Sequence, residues 1–599
     1  MSDLSYEALL KRQEESQHGW AFFITAVLAL SLAVAGWGKL RFGLSFIDEG
    51  MYLTDGWRLA HGDRLFPDAN RFAASFYHLF SSWVFHLIPD AGVLTIRRVQ
   101  YFLNLFAIAS LLYVFLKGQK PTQMYGPLLA STPFLYLGLD PTGMGSSLNY
   151  YTITSFFFLL HLAAVVAYGK ETEHRTRTFL AFLAGVLIAA AGISYLAVGA
   201  AGILFLLLPI LRRAPLPKRD LAAYLLPALL YPLTIYPNFE MHWKALSALL
   251  SVRSESELFF PYTMPHLAHG AIFVGAGLLL TRIKSQRAFL IGALGLGAVL
   301  GASLYTRGFT LLPLFWNGWF KIPGMVATLN AIAAIAALLL ITKYAVKEPL
   351  ERTLPATVLI LGYLLYASFF ALTSSLGVLL MLSSSAALWI GISSLLCSRL
   401  GATRGLALAL AFMVPSSAFL LRADYLFTYF DKAPSQLDTV IQDGPAAGIQ
   451  TNSVNAFIER TIRKAVASNT DEDDLILSFD QTPMVYFLGR RRPAVDHSWI
   501  GITGGNEKNA KNAIQKMIVA NRIPKLALHW QNKFLWIPLD EQFKNFTLSG
   551  FSASTERPIL AYVRSNMTRV ATINIGELPM VEIYKENLAD DGAALNNER

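Results

Sequence analysis

Two adjacent carboxylates, Asp48 and Glu49, stand just beyond the first apolar run, in Phe46-Ile-Asp-Glu-Gly-Met-Tyr-Leu-Thr-Asp-Gly-Trp-Arg-Leu-Ala-His-Gly-Asp-Arg-Leu-Phe-Pro67. A carboxylate at a bilayer edge, where lipid headgroups and water-borne molecules meet, can act as a general base toward a hydroxyl. Capping a helix is the plainer role for Asp48. A further acid, Asp140, ends another apolar run in Leu137-Gly-Leu-Asp-Pro-Thr-Gly143. Asp48 and Asp140 could hold a divalent cation such as Mg or Mn between them, or divide base and ligand roles. Asp140-Pro141 could equally be a helix-end turn.

A second polar segment, Tyr236-Pro-Asn-Phe-Glu-Met-His-Trp-Lys244, runs on to Arg253. Glu240 and His242 could add metal ligands, and Lys244 or Arg253 could neutralise a departing phosphate. A solvated interfacial loop anchored by Trp243 is the alternative. His266 and His269 share a helix face without a third ligand in view. Arg307 and Lys321 flank a loop holding Trp316 and Trp319, which could line a lipid tunnel or mark the membrane interface. The run Arg490-Arg-Arg492 could meet phosphate or an anionic glycan, or form a solvated turn. No Walker-type or dinucleotide fingerprint is present, which favours a lipid-linked over a nucleotide-linked donor.

The elements that must position these groups are mostly membrane helices. Of 599 residues, 54% are hydrophobic and 15% charged, against about 25% charged in ordinary soluble domains. The apolar residues fall in blocks of about 20, the length that crosses a bilayer. Spans are predicted at 20–40, 99–116, 125–139, 151–168, 179–193, 196–211, 221–236, 267–280, 289–304, 324–341, 354–372, 376–396 and 406–421. The piece 72–87 is read as interfacial, because counting it as a span would put the basic loops outside. Lys117 and Lys120, Lys170, Arg175 and Arg177, Arg212 to Arg219, Arg282 to Arg287, Lys343 to Arg352, and Arg399 with Arg404 then all face the cytoplasm.

The net charge of +10 is therefore a matter of topological anchors, with no nucleic-acid partner implied. The single cysteine, Cys397, allows no intramolecular disulfide and reads as a packing residue. Lys11 and Arg12 ahead of the first span place the N-terminus inside, and no cleavable signal is evident. The fold expected is a polytopic α-helical membrane protein of about 13 transmembrane helices with a C-terminal soluble α/β domain. Its membrane part is 1–422, including the first outer loop 41–98, and its outer domain is 423–599. Met51–Ala60 is predicted as a short amphipathic helix at the membrane surface. Strands are expected at 475–479, 525–529, 559–563, 570–575 and 580–583, with helices at 454–467 and 508–520.

The Asp-Glu pair, the Tyr-containing short helix, and the Gly-Asp followed by a hydrophobic residue and a Pro resemble the polytopic GT-C glycosyltransferases. The nearest likeness is to the protein O-mannosyltransferase and lipid A aminoarabinose transferase branch, over most of the first 250 residues. That resemblance implies an inverting transferase using a polyprenyl-phosphate sugar, often with a divalent cation; a bacterial inner membrane is the simplest setting for a chain with one cysteine. The acceptor would be a lipid, a glycan or a protein. Asp48 would match the acid that deprotonates or orients the acceptor nucleophile, Glu49 its partner, and Asp140 the second acid. Tyr52 would lie with the substrate. Relatives often carry Lys-Pro-Pro where this chain has Arg71-Phe-Ala-Ala-Ser-Phe-Tyr-His78, so the phosphate contact falls to Arg71, Arg58 or Arg64, each of which could instead anchor lipid headgroups. A transporter or flippase is the competing class, but the predicted spans are nearly free of charge at their centres, where ion-coupled transporters place ionisable groups.

Overall fold

The computed structural model describes residues 25–64, 77–137, 148–212, 214–235, 271–307, 350–373, 384–412 apart from 402, 434–479, 482–498, 507–530, 549–575 and 578–587, with a few isolated positions. The chain divides into two compact units. One comprises Met1–Leu40, Phe72–Tyr77 and Arg97–Phe427; the other comprises Arg41–Arg71, His78–Ile96 and Thr428–Arg599. Most of the predicted first outer loop, 41–71 and 78–96, is thus grouped with the C-terminal residues. Hydropathy separates membrane from water. It carries no information on which polar segments pair across 400 residues.

The helices run in chain order α1 (Thr25–Lys39), α2 (Asp48–Ala60), α3 (Tyr77–Leu87), α4 (Val93–Leu116), α5 (Pro121–Leu137), α6 (Tyr150–Lys170) and α7 (His174–Ser194). Next come α8 (Leu196–Gly199), a 3-10 turn Ala200–Gly202, α9 (Ile203–Arg212), α10 (Lys218–Ile235), α11 (Ala271–Leu280), α12 (Gln286–Arg307), α13 (Leu350–Thr373), α14 (Ser385–Leu400) and α15 (Thr403–Phe412). Among the described residues, α4, α6 and α7 are long and apolar enough to cross a membrane. The described part of α3, 11 residues, is about 16 Å long, less than the thickness of a bilayer core. The predicted span 324–341 lies outside the described residues save for isolated positions.

In the first unit, small residues let these helices close up. Gly36 of α1 packs on the Tyr101 hydroxyl, which donates to the carbonyls of Ala33 and Leu135 and so ties α1, α4 and α5 together. Cys397 is buried against Gly126, the packing role expected of it. Phe102, Phe106 and Tyr113 lie on one face of α4 and are 60 to 70% exposed, an apolar stripe suited to lipid. At one end of the bundle, Lys170 Nζ donates to the last carbonyls of α4 (Val114, Phe115) and to Lys117. Beside it Arg177 pairs with Asp220 at 3.5 Å, and Arg219 donates to Thr178 and to the His174 carbonyl. Basic residues from three predicted cytoplasmic loops thus gather at one end, where helix C-termini favour positive charge.

In the second unit the later elements are β1 (Thr439–Val440), β2 (Gln450–Thr451), α16 (Ser453–Asn469), β3 (Leu475–Phe479), α17 (Met484–Gly489), β4 (Arg492–Pro493), α18 (Glu507–Val519), β5 (Leu526–Trp530), α19 (Ser549–Asn566), β6 (Met567–Ile575) and β7 (Leu578–Glu586). Five strands form a mixed sheet in the order β4-β3-β5-β7-β6, with β4, β3 and β5 parallel and the other two pairings antiparallel. Residues Leu477, Ala527, Ile514, Met517, Ile559, Val563 and Tyr584 make one core between sheet and helices. The expected strand 559–563 is instead part of α19. Ile559 and Val563 are four residues apart and both bury on one helical face, a pattern that a short apolar run does not distinguish from a strand.

The first outer loop is built into this unit from its beginning. The Gln450 amide donates to the Arg41 carbonyl and the Gly43 amide to the Gln450 carbonyl, so residues 41–43 run beside β2. Asp431 accepts from the Leu44 amide at 3.0 Å, from Asn452 Nδ2 at 2.5 Å and from the Thr451 hydroxyl. Each bond fixes a buried polar group that would otherwise cost about 1–3 kcal/mol unpaired.

Candidate active site

Helix α2 begins at the acids themselves. Ile47 occupies the cap position without a side-chain bond, its carbonyl accepting from the Met51 amide at 2.9 Å. Asp48 is thus the first helical residue and not the cap. Both acids lie in the first turn, where free amides and the helix dipole favour negative charge. The helix ends at His61, whose ring stacks on Trp57 at 4.4 Å, and the chain then turns through Gly62 at φ +101°, a backbone region that suits glycine.

The expected amphipathic surface helix is corrected. Every residue from Glu49 to Arg58 is buried, and only Asp48, Leu59 and Ala60 of the helix are partly exposed. Two glycines about 240° apart around the axis explain this. Gly50 packs directly on the backbone of Met484, and Gly56 leaves only 2.5 Å between an added Cβ and Ser81 Cβ. The polar residues buried with them are partnered. Thr54 Oγ1 donates to the Pro483 carbonyl at 2.8 Å, and Asp55 lies 3.8 Å from His78 Nε2. Gly50→Ala should therefore destabilise the full-length protein by about 1–3 kcal/mol, as overpacking does elsewhere. Thermal melting of the purified protein reads this directly; an unchanged melting temperature would contradict the close approach.

Of the proposed arginine contacts that are described, Arg58 is buried and Arg64 exposed. The Arg58 side chain is fully buried, Nε bonds Asp63 at 2.6 Å, and Nη1 and Nη2 donate to the carbonyls of Asp496 and Val495. In this arrangement the guanidinium holds the loop to the sheet through Asp63 and two carbonyls. Asp63 is the centre of the cluster, with Arg522 Nη2 at 3.1 Å and Arg492 Nη1 at 3.6 Å from the same carboxylate. Arg522 also donates to the carbonyls of Pro493 and Ala494. Asp496 sits beside them. Burial pushes its carboxyl up, but His497, Lys516 and Arg58 outweigh that and hold it below its usual value.

The arginine triplet is likewise spent within the fold. Arg490 stacks on Phe487 and Trp57 and donates to the Ala91 carbonyl; burial lowers its pKa to about 10, so it stays charged at neutral pH. Arg491 bonds the Thr470 hydroxyl and carbonyl, and Arg492 faces Asp63. Tyr52 is buried within α2, and Arg64 is exposed just after it. Arg71, Asp140, Glu240, His242, Lys244 and Arg253 lie outside the described residues, as do His266, His269 and Lys321.

Asp63, Met484 and Trp530 were not singled out from sequence, although Gly62-Asp63 belongs to the segment that carried the resemblance. Among the described residues no three His, Cys, Asp or Glu side chains gather to hold a metal. Asp48 alone of the proposed ligands is described. Its partly exposed carboxylate offers the hard oxygen that Mg or Mn takes, so it fits as one ligand.

No family model and no curated protein matches the chain. Among solved structures it is similar to ArnT from Cupriavidus metallidurans in the apo state, at 12% identity and TM-score 0.43, over 95% of this chain and 98% of that one. The same enzyme bound to undecaprenyl phosphate aligns at 13% identity and TM-score 0.43, over 94% and 98%. The archaeal oligosaccharyltransferase AglB from Archaeoglobus fulgidus, with an inhibitory peptide and a dolichol-phosphate, aligns at 12% identity and TM-score 0.45, over 96% and 75%.

Proposed function

We propose that this chain is an integral-membrane glycosyltransferase that moves a sugar from a polyprenyl-phosphate donor to a lipid, glycan or protein acceptor on the outer face of a bacterial inner membrane. The carrying observation is that α2, a helix buried along ten consecutive residues, leaves Asp48 as the one partly exposed acid of its first turn. The acceptor hydroxyl gives its proton to the Asp48 carboxylate as its oxygen bonds the anomeric carbon. The bond from that carbon to the phosphate oxygen breaks on the opposite face, releasing polyprenyl phosphate and inverting the centre. Glu49, its adjacent partner, places a second carboxylate at the positive end of the helix, and Asp140 supplies the second acid. Arg64, Arg71, Lys244 and Arg253 remain the proposed contacts to the phosphate.

Topology supports the same reading. Residues 41–64 and the C-terminal elements belong to one packed unit, so they lie on one side of the membrane. An even number of spans must then separate them. That agrees with a total of 13, an N-terminus in the cytoplasm and an outer C-terminal domain.

A divalent ion held by Asp48 and Asp140, with Glu240 and His242, would supply positive charge beside the leaving phosphate. Purified full-length protein incubated with undecaprenyl-phosphate-linked sugar and an acceptor extract should release undecaprenyl phosphate and form a product of opposite anomeric configuration. Chelation should lower that release by about 10²-fold or more, restored by Mg or Mn. Undiminished turnover after chelation would remove the ion from the reading, and no release under any condition would remove the transferase.

A further inference from the structure

We propose that the α/β unit is the positioning element for Asp48, and that Trp530 is its positioning residue; this rests on the reading of Asp48 as the acid that meets substrate. Strands β3 and β5 are adjacent and parallel, paired from Ile476↔Leu526 to Phe479↔His529. From β3 the chain passes through α17 to β4 on one side. After β5 its next described elements are α19 and β6, at the opposite edge. Strand ends where the chain departs in opposite directions form the crevice at which open α/β sheets place their functional groups.

Here that crevice is occupied by the protein's own acidic loop. The Phe46 carbonyl accepts from the Met484 amide, the first residue after the β3 connection, at 3.1 Å. The Phe46 ring lies 6.2 Å from that of Trp530, at the carboxyl end of β5, tilted by 56°. This separation is within the favourable range for aromatic pairs. Trp530 is fully buried and Phe46 nearly so.

The docking continues along the helix. Gly50 and Thr54 are four residues apart on α2, Phe46 lies just ahead of its cap, and all three meet Pro483, Met484 or Trp530. Asp48 is about 160° around the axis from Gly50 and about 120° from Thr54, which turns it away from the sheet and toward solvent. The three contacts together set both the level and the rotation of the helix start. Losing the Trp530 ring removes a contact that lies ahead of Asp48 on the β5 side, so the acid should shift while the rest of the sheet holds.

The test uses the full-length protein carrying Asp48→Cys, with the native chain, whose cysteine is buried, as the labelling blank. The rate at which a small water-soluble maleimide labels the introduced thiol should change by about tenfold or more with Trp530→Ala, since a 1 Å misplacement can cost ~10²-fold in aligned chemistry. Trp530→Phe should restore the parent rate. Val563→Ala, which opens the core of the same unit on its other helices, should leave labelling as in the parent. Phe46→Leu provides a second disruption if Trp530→Ala fails to fold. In chains retaining Asp48, Trp530→Ala should lower kcat for transfer and leave donor KM unchanged, again with rescue by Phe.

Labelling that responds to Val563→Ala as it does to Trp530→Ala, or to neither Trp530→Ala nor Phe46→Leu, would overturn the inference. Shifted labelling with unaltered transfer would leave the positioning intact and remove Asp48 from the chemistry instead.

Discussion

Asp48→Asn should lower sugar transfer by about 10²–10⁴-fold, the usual cost of losing a positioned base, with the amount of folded protein unchanged. The substitution keeps the side chain's size and its oxygen near the free amides of the first turn. It removes the charge that accepts a proton. Asp48 is partly exposed and lies outside the docked stripe of α2, so the helix does not depend on it for packing. Glu49→Gln, one residue on, should behave differently. Glu49 is 4% exposed, and its loss should show first in stability. Rates from purified protein at matched folded concentration separate the two, and near-parental turnover by Asp48→Asn would defeat the assignment.

Asp63→Ala should destabilise the second unit by about 3–5 kcal/mol, the cost of stripping the partner from a buried charge. Three guanidiniums, those of Arg58, Arg492 and Arg522, converge on this carboxylate, and the side chains of Arg58 and Asp63 are fully buried. Without Asp63 the cluster keeps its positive charges with no carboxylate at its centre. Asp63→Asn should be milder, because the amide oxygen still accepts from Arg58 Nε. The double change Arg58→Met with Asp63→Leu should recover part of the loss, since a well-packed apolar pair can replace a buried ion pair. Denaturation midpoints of the three variants check the order Ala below Asn, and the double variant above Ala. Equal midpoints for Asp63→Ala and the parent would show that the cluster holds nothing.

The sequence exposed the acids but not their support. Asp48 and Glu49 stand out because charge is rare near apolar runs, and Leu475–Phe479 stands out because five apolar-rich residues sit between turns. Gly50 and Gly56 carry no signal of their packing, since a lone sequence does not show what presses on a missing Cβ. The same limit hid Arg58. A basic residue beside a membrane reads as a phosphate contact or headgroup anchor. Its real partners, Asp63 five residues on and the carbonyls of Val495 and Asp496 some 437 residues on, are brought together only by the fold. Trp530, one aromatic residue at a strand end, carried no periodic signal at all. The helix start at Asp48, three residues before the predicted one, reflects acids that suit a first turn as well as a loop.

The direct measurement of the central claim is mass spectrometry of envelope lipids and glycans from cells lacking this chain, complemented with either the parent or Asp48→Asn. The account predicts that one envelope component loses a sugar, that the parent chain restores it, and that Asp48→Asn does not. An unmodified envelope with small polar substrate accumulating inside the cell would contradict transfer and point to transport.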